Sequence, residues 1–117
     1  MAGRKQDHLN ERIRQKLGTI LQREAGDPRF LTVTISAVSV AKDIGTAKVF
    51  FSSYDDQVDK DELTESLNGA AGFLGHALSR TLNTRITPRL HFVYDHGFDY
   101  AVEVDLLLAK ARESEKK

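Results

Sequence analysis

The stretch from residue 68 to residue 76 reads Asn68-Gly69-Ala70-Ala71-Gly72-Phe73-Leu74-Gly75-His76 and holds three glycines within an apolar spacing typical of a helix. A glycine in a helix interior costs about 1 kcal/mol relative to alanine. Three glycines so close together are a poor choice for a helix that only has to pack. The stretch therefore predicts a bend between two helical halves, or bare backbone that lies close to a partner.

The residues around this stretch predict a helical segment over 61–83 with one apolar face. That face is formed by Leu63, Leu67, Ala70, Leu74, Leu78 and Thr81. On a wheel of about 100° per residue, Gly69 and Gly72 fall on the outer face, together with His76, Arg80 and Asn83. A glycine that lets two helices pack closely would face inward. The outward position therefore indicates that a partner approaches the backbone.

An amphipathic helix and a β-hairpin are predicted before this segment. Residues 7–25 have helical apolar spacing and end at a glycine followed by a proline. Residues 31–40 and 46–54 alternate as two half-buried strands. The apolar residues change face within the first strand, which predicts a β-bulge near Ala37–Val38. Phe50 points away from the apolar face of the second strand, so it is either covered by another element or offered to a base for stacking.

After the glycine-rich segment, residues 89–95 alternate as a third strand, and residues 98–112 have helical spacing. Because a helical connection precedes it, the third strand is expected to lie parallel to one strand of the hairpin. The tail, residues 113–117, is expected to be flexible.

The order helix–strand–strand–helix–helix–strand is that of a KH-like domain of the type II arrangement. The expected fold is therefore α+β: one domain over 1–117, with its core at 8–108. A three-stranded mixed sheet packs against helices, and a short helix follows at the C-terminus. Residues 69–72 and 72–75 both fit the G-x-x-G pattern of KH loops, although neither carries a basic residue between the glycines.

The 117 residues have a formal net charge of zero, but the charges are segregated along the chain. Residues 1–30 carry seven basic and four acidic side chains, whereas residues 79–91 hold three arginines and no acid. Arg12, Lys16 and Arg23 fall on one flank of the first helix. This flank is either a solvated charged face or a stripe that faces phosphates.

Several classes of protein are disfavoured by the sequence. The chain has no cysteine, no apolar run near the roughly 20 residues that span a bilayer, and no signal-peptide pattern, so a cytoplasmic location is expected. No local motif marks a nucleophile, the four histidines lack metal-ligand spacing, and no cofactor is expected. The acidic stretch 55–62 is more typical of a helix N-terminus than of a cation site.

Four segments carry a family resemblance. The most specific are Ala70-Ala71-Gly72-Phe73 and, after it, Leu78 and Arg85-Ile86-x-Pro88-x-Leu90-x-Phe92-x-x-Asp95. The others are Leu21-Gln22-Arg23-Glu24 followed by Asp27-Pro28-Arg29, and Ala47-Lys48-Val49-Phe50. Together they resemble the ribosome-binding factor A family, bacterial factors of small-subunit maturation, over residues 8 to about 108.

The resemblance implies a helical kink at Ala70, Ala71 and Gly72 in place of a KH loop. It also implies a non-catalytic, monomeric factor with no membrane or small-molecule partner. Such a factor binds the free, immature 30S subunit through 16S rRNA, and assists late maturation and rRNA processing, also in the cold. The residues expected to contact RNA are Arg12, Lys16, Arg23, Gly72, His76, Arg80, Arg85 and Arg89. Two alternatives stay open at this point: a KH-like protein–protein module that uses 55–62, and an enzyme of ferredoxin-like shape. Arg85 could instead pair with a surface carboxylate.

Overall fold

The structure is a computed structural model and describes residues 2–24, 26–83, 87–97 and 108. The elements are α1 (Ala2–Arg23), β1 (Val33–Val40), β2 (Thr46–Ser53), α2 (Lys60–Gly69), α3 (Ala71–Leu82) and β3 (Arg89–Tyr94), with a short 3-10 helix, Pro28–Thr32, before β1. This is the predicted order. The predicted helix over 98–112 and the tail lie outside the described residues, apart from Leu108.

The three strands form one mixed sheet in the order β1-β2-β3. β1 and β2 pair antiparallel as a hairpin, and β3 pairs parallel to β2. The parallel pairing follows from the connection, because α2 and α3 carry the chain back along the sheet before β3 begins. The predicted α+β class, the hairpin and the parallel third strand are all confirmed.

A β-bulge in β1 keeps its apolar side chains on one face. The pairing with β2 shifts between Ile35 and Ala37, so Ser36 is the extra residue. Apolar side chains are buried both before the bulge (Ile35) and after it (Val38), whereas Ala37 is exposed. The predicted bulge is therefore confirmed, but it lies one residue earlier than expected, and Ala37 does not share the buried face.

The core lies between one face of the sheet and the helices. α1 packs on β1 and α3, while α2 and α3 pack on β3. At its centre Phe51 and Phe92 meet edge to face, with ring centroids 6.4 Å apart. No polar or charged residue is buried among the residues that the structure describes. Phe50 lies on the opposite face of the sheet and is half-buried.

The two helices of the glycine-rich segment meet at Ala70. α2 ends at Gly69 and α3 begins at Ala71, and Ala70 between them has φ −92° and ψ 2°. Ala70 donates its N–H to the Ser66 carbonyl at 3.0 Å and accepts from the Leu74 N–H at 2.9 Å. The hydrogen bonds thus continue across the break. The break is at the first residue of the predicted kink, while Ala71 and Gly72 belong to α3.

Candidate RNA-binding surface

The outer side of α3 exposes a stripe without negative charge. Phe73, His76 and Arg80 are exposed, and α3 contains no acidic residue. Its inner side is formed by the buried residues Leu74, Ala77, Leu78 and Leu82. The helix ends at Asn83, which adopts the left-handed conformation favoured after a helix C-terminus. The exposure predicted for His76 and Arg80 is confirmed.

At two positions of α3, none of the described residues requires a glycine. A Cβ atom added at Gly72 or Gly75 would meet no heavy atom within 4 Å. The missing side chains leave a groove of about 370 Å³ between α3 and the start of β3. It is lined by Ala71, Gly72, Gly75, Thr87, Pro88, Arg89 and Leu90. Two residues predicted to contact RNA, Gly72 and Arg89, are therefore brought to one groove.

A second groove lies between α1 and the C-terminal end of α3. It has a volume of about 410 Å³, and Lys16, Arg23 and Thr81 are among its lining residues. α3 therefore forms the ridge between two grooves, and each groove carries basic residues from the predicted set.

Arg12 has a structural partner at this end of α3. Its guanidinium donates a hydrogen bond to the Leu82 carbonyl at 3.0 Å. The last carbonyls of a helix have no partner within the helix, and a cation near them is favourable. Arg12 therefore links α1 to α3, in addition to any contact with RNA. Arg85, the remaining arginine of the predicted set, lies outside the described residues.

The ion pairs of the described residues do not involve the candidate surface, although Glu24 lines the second groove together with Lys16 and Arg23. They are Arg14 with Glu11, on another flank of α1, and Arg29 with Asp27, in the 3-10 helix. The Arg14 hydrogen bond lowers the pKa of Glu11, and the Arg29 hydrogen bond lowers the pKa of Asp27. Neither pair includes a residue of the predicted RNA-contact set.

Arg29 has a role that sequence reasoning missed. No contact of its side chain was predicted, but the Arg29 guanidinium donates to the Ser66 hydroxyl at 2.8 Å. Asp27 caps the 3-10 helix by accepting from the Arg29 N–H. The Asp-Pro-Arg motif thus connects the segment before β1 to α2. The capping propensity of Asp27 was the only available signal.

The acidic stretch 55–62 leads into α2 as predicted. Asp59 caps the helix by accepting from the backbone N–H groups of Asp61 and Glu62 at 2.9 and 3.1 Å. Within the described ranges, no group of three or more His, Asp or Glu side chains could hold a metal ion. The helices of the described part include none that is long and apolar enough to cross a membrane.

A model of the family described as ribosome-binding factor A matches residues 5–108. The chain belongs to the ribosome-binding factor A family. A ribosome-binding factor A from Legionella pneumophila (strain Lens) is 43% identical over 103 residues, which is 87% of this chain and 82% of that protein. The family predicted from the sequence is therefore confirmed.

Solved structures of the ribosome-binding factor A family have the same fold. The crystal structure of the factor from Thermus thermophilus superposes with a TM-score of 0.67 at 27% identity, covering 76% of this chain and 94% of that chain. A homology model of the Thermus thermophilus factor, fitted into a cryo-EM map of its complex with the 30S subunit, gives a TM-score of 0.65 at 26% identity and covers 78% of this chain and 96% of that chain.

Proposed function

We propose that this protein binds the free 30S subunit through 16S rRNA and assists its late maturation and rRNA processing in the cytoplasm, also in the cold. It acts as a monomer and without catalysis. The observation that carries the proposal is the ridge of α3, which has no acidic residue and lies between two grooves that hold Arg23 and Arg89. The 30S complex of a Thermus thermophilus family member supports it.

The physical role of the surface is to neutralise phosphates. Lys16, Arg23, Arg80 and Arg89 make no ion pair within the part of the chain that the structure describes, so each is free to contact a phosphate. Gly72 and Gly75 leave backbone accessible beside Arg89. Such contacts set the position of the RNA, and they do not read its sequence.

The decisive experiment is co-sedimentation of the purified protein with free 30S subunits over a series of salt concentrations. Four phosphate contacts predict a slope of about −3 to −4 when the logarithm of affinity is plotted against the logarithm of salt concentration. A flat response, or no co-sedimentation at low salt, contradicts the proposal.

A charge reversal locates the contact. Arg80→Glu is expected to flatten the slope by about 1 and to weaken binding. Lys48→Glu makes the same change in net charge on the opposite, exposed face of the sheet. It is therefore the matched control, and it is expected to bind as the wild type does. If Arg80→Glu and Lys48→Glu bind 30S subunits equally well, the RNA does not contact Arg80.

A second candidate function is a protein–protein module. The observation that favours it is the exposure of Leu31 (43%) and Tyr54 (76%) beside the acidic residues Asp55 and Asp56. Phosphates would be repelled there, whereas a basic protein would not. Tyr54→Ser would then reduce binding while Arg80→Glu would not, and the salt response would be weak.

A further inference from the structure

Phe73 is the exposed aromatic residue of α3. Its side chain is 54% exposed, in the first turn after the break at Ala70. Core packing does not account for it, because the buried side of α3 is formed by other residues. Helix propensity does not account for it either, since aromatic residues are weaker helix formers than alanine or leucine. A large apolar ring in water at this place calls for another explanation.

The neighbours of Phe73 carry positive charge or a donor group. Phe73, His76 and Arg80 occupy positions i, i+3 and i+7 of α3, so they stand on one stripe. The Cα atoms of Phe73 and Arg80 are about 10 Å apart along the helix axis, at 1.5 Å per residue. Gly72, whose missing side chain leaves backbone open, directly precedes the ring.

Tyr54 is another exposed aromatic residue of the described part, and its surroundings are the opposite. Tyr54 is 76% exposed, but Asp55 and Asp56 follow it directly. A base brought to Tyr54 would carry its phosphate towards two carboxylates. At Phe73 the charge favours a nucleic acid instead.

We propose that Phe73 is the platform on which an unpaired base of the RNA stacks, while Arg80 contacts a neighbouring phosphate. Aromatic side chains interleaved with basic ones are how single-stranded nucleic acids are bound, since every base has a face that can stack. The inference rests on the proposed function and adds to it that the bound RNA is single-stranded at α3.

The test uses the absence of tryptophan from the chain. Phe73→Trp introduces a single tryptophan at the proposed platform, and Tyr54→Trp introduces one at the acidic control site. Each variant is titrated with an unstructured oligouridylate and with an RNA duplex of the same length. Stacking predicts that oligouridylate quenches the emission of Phe73→Trp, that the duplex quenches it much less, and that Tyr54→Trp does not respond.

Affinity is measured with Phe73→Leu, which keeps an apolar side chain but removes the aromatic face. We expect binding of oligouridylate and of 30S subunits to weaken roughly 5- to 150-fold, the range for loss of one stacked base. Its denaturation midpoint is expected to match that of the wild type, because the side chain is exposed. Phe73→Tyr is expected to restore binding.

The outcomes separate the two proposals. If the wild type binds neither 30S subunits nor oligouridylate, the proposed function fails. If the wild type binds both, Phe73→Leu binds as tightly and Phe73→Trp is not quenched, only the stacking role fails. If Phe73→Leu weakens binding to 30S subunits but not to oligouridylate, Phe73 contacts a protein on the particle, and stacking is overturned.

Discussion

The side chain of Asn68 forms hydrogen bonds with both main-chain groups of Phe92, the N–H and the carbonyl. Its side-chain amide donates to the Phe92 carbonyl at 3.0 Å, and its amide oxygen accepts from the Phe92 N–H at 2.8 Å. Asn68 lies in the last turn of α2, and Phe92 lies on β3, which is an edge strand among the residues that the structure describes. The pair therefore fixes the distance between the glycine-rich helices and the strand that carries Arg89.

Asn68→Ala is expected to lower the free energy of unfolding by about 1–3 kcal/mol, since it leaves a partly buried donor and acceptor without partners. Urea denaturation measures the change. Asn68→Asp keeps the acceptor but places a carboxylate oxygen against the Phe92 carbonyl, so it is expected to lose at least as much stability at pH 7 as Asn68→Ala does. An Asn68→Ala midpoint equal to that of the wild type would show that the pair adds no stability.

Gly75→Ala is expected to change stability and binding in opposite directions. Alanine raises the free energy of unfolding by up to about 1 kcal/mol, because it favours the helix and meets no atom within 4 Å. The added methyl group also protrudes into the groove and is expected to weaken 30S binding. Gly18→Ala, in the middle of α1, is the matched control: it has the same open space and is expected to gain stability without losing binding. If both variants bind normally, RNA does not approach Gly75.

Arg12→Gln is expected to lower the free energy of unfolding by about 1 kcal/mol, because a cation is lost from the C-terminal end of α3. Lys16→Gln removes the same charge without removing a hydrogen bond between helices, so its stability should stay close to that of the wild type. Thermal denaturation and co-sedimentation are compared for the two variants. A larger stability loss in Lys16→Gln would contradict the role assigned to Arg12.

Asp95 is expected to make stability depend on acid pH. The Ser36 hydroxyl and the Gly97 N–H donate to its carboxylate, at 2.6 and 2.8 Å, and hold its pKa below the usual range. A lowered native pKa adds stability above the ordinary aspartate value of about 3.9, and this stability is lost as the pH falls towards the native value. Asp95→Asn is therefore expected to be less stable at pH 7 and to lose less stability between about pH 5 and pH 3.

Urea midpoints at several pH values measure this effect. Ser36→Ala removes one of the two donors, so its acid response is expected to lie between that of the wild type and that of Asp95→Asn. If Asp95→Asn loses as much stability in acid as the wild type does, other carboxylates cause the acid response.

The helices and strands were predictable because their apolar spacing is regular, and burial on one face is the main constraint on each. The hairpin turn shows where local preference misleads. Glycine adopts the left-handed conformation most readily, yet Gly45 has an ordinary φ and Ile44 takes that conformation, with φ 59°. Ile44 packs against the core. Tertiary packing thus offsets a strained backbone, which spacing rules do not detect.

The candidate site was predictable only in part, for a similar reason. A helical wheel identifies outward residues such as His76 and Arg80, since exposure depends on one helix. The groove that joins Gly72 to Arg89 depends on how α3 docks on β3, and so do the contacts of Asn68. Contacts between residues this far apart in the chain produce no local sequence pattern from which they could be predicted.

The parallel pairing of β2 with β3 has a consequence for synthesis of the chain. The hairpin and both glycine-rich helices emerge from the ribosome before β3 does, since β3 follows them in the sequence. The pairing of Thr46 with Arg89 closes a loop that contains α2 and α3, whereas the hairpin needs only a short turn. The groove beside Gly72 is thus completed last during translation. A nascent chain that stops before β3 exposes the ridge of α3 but lacks this groove.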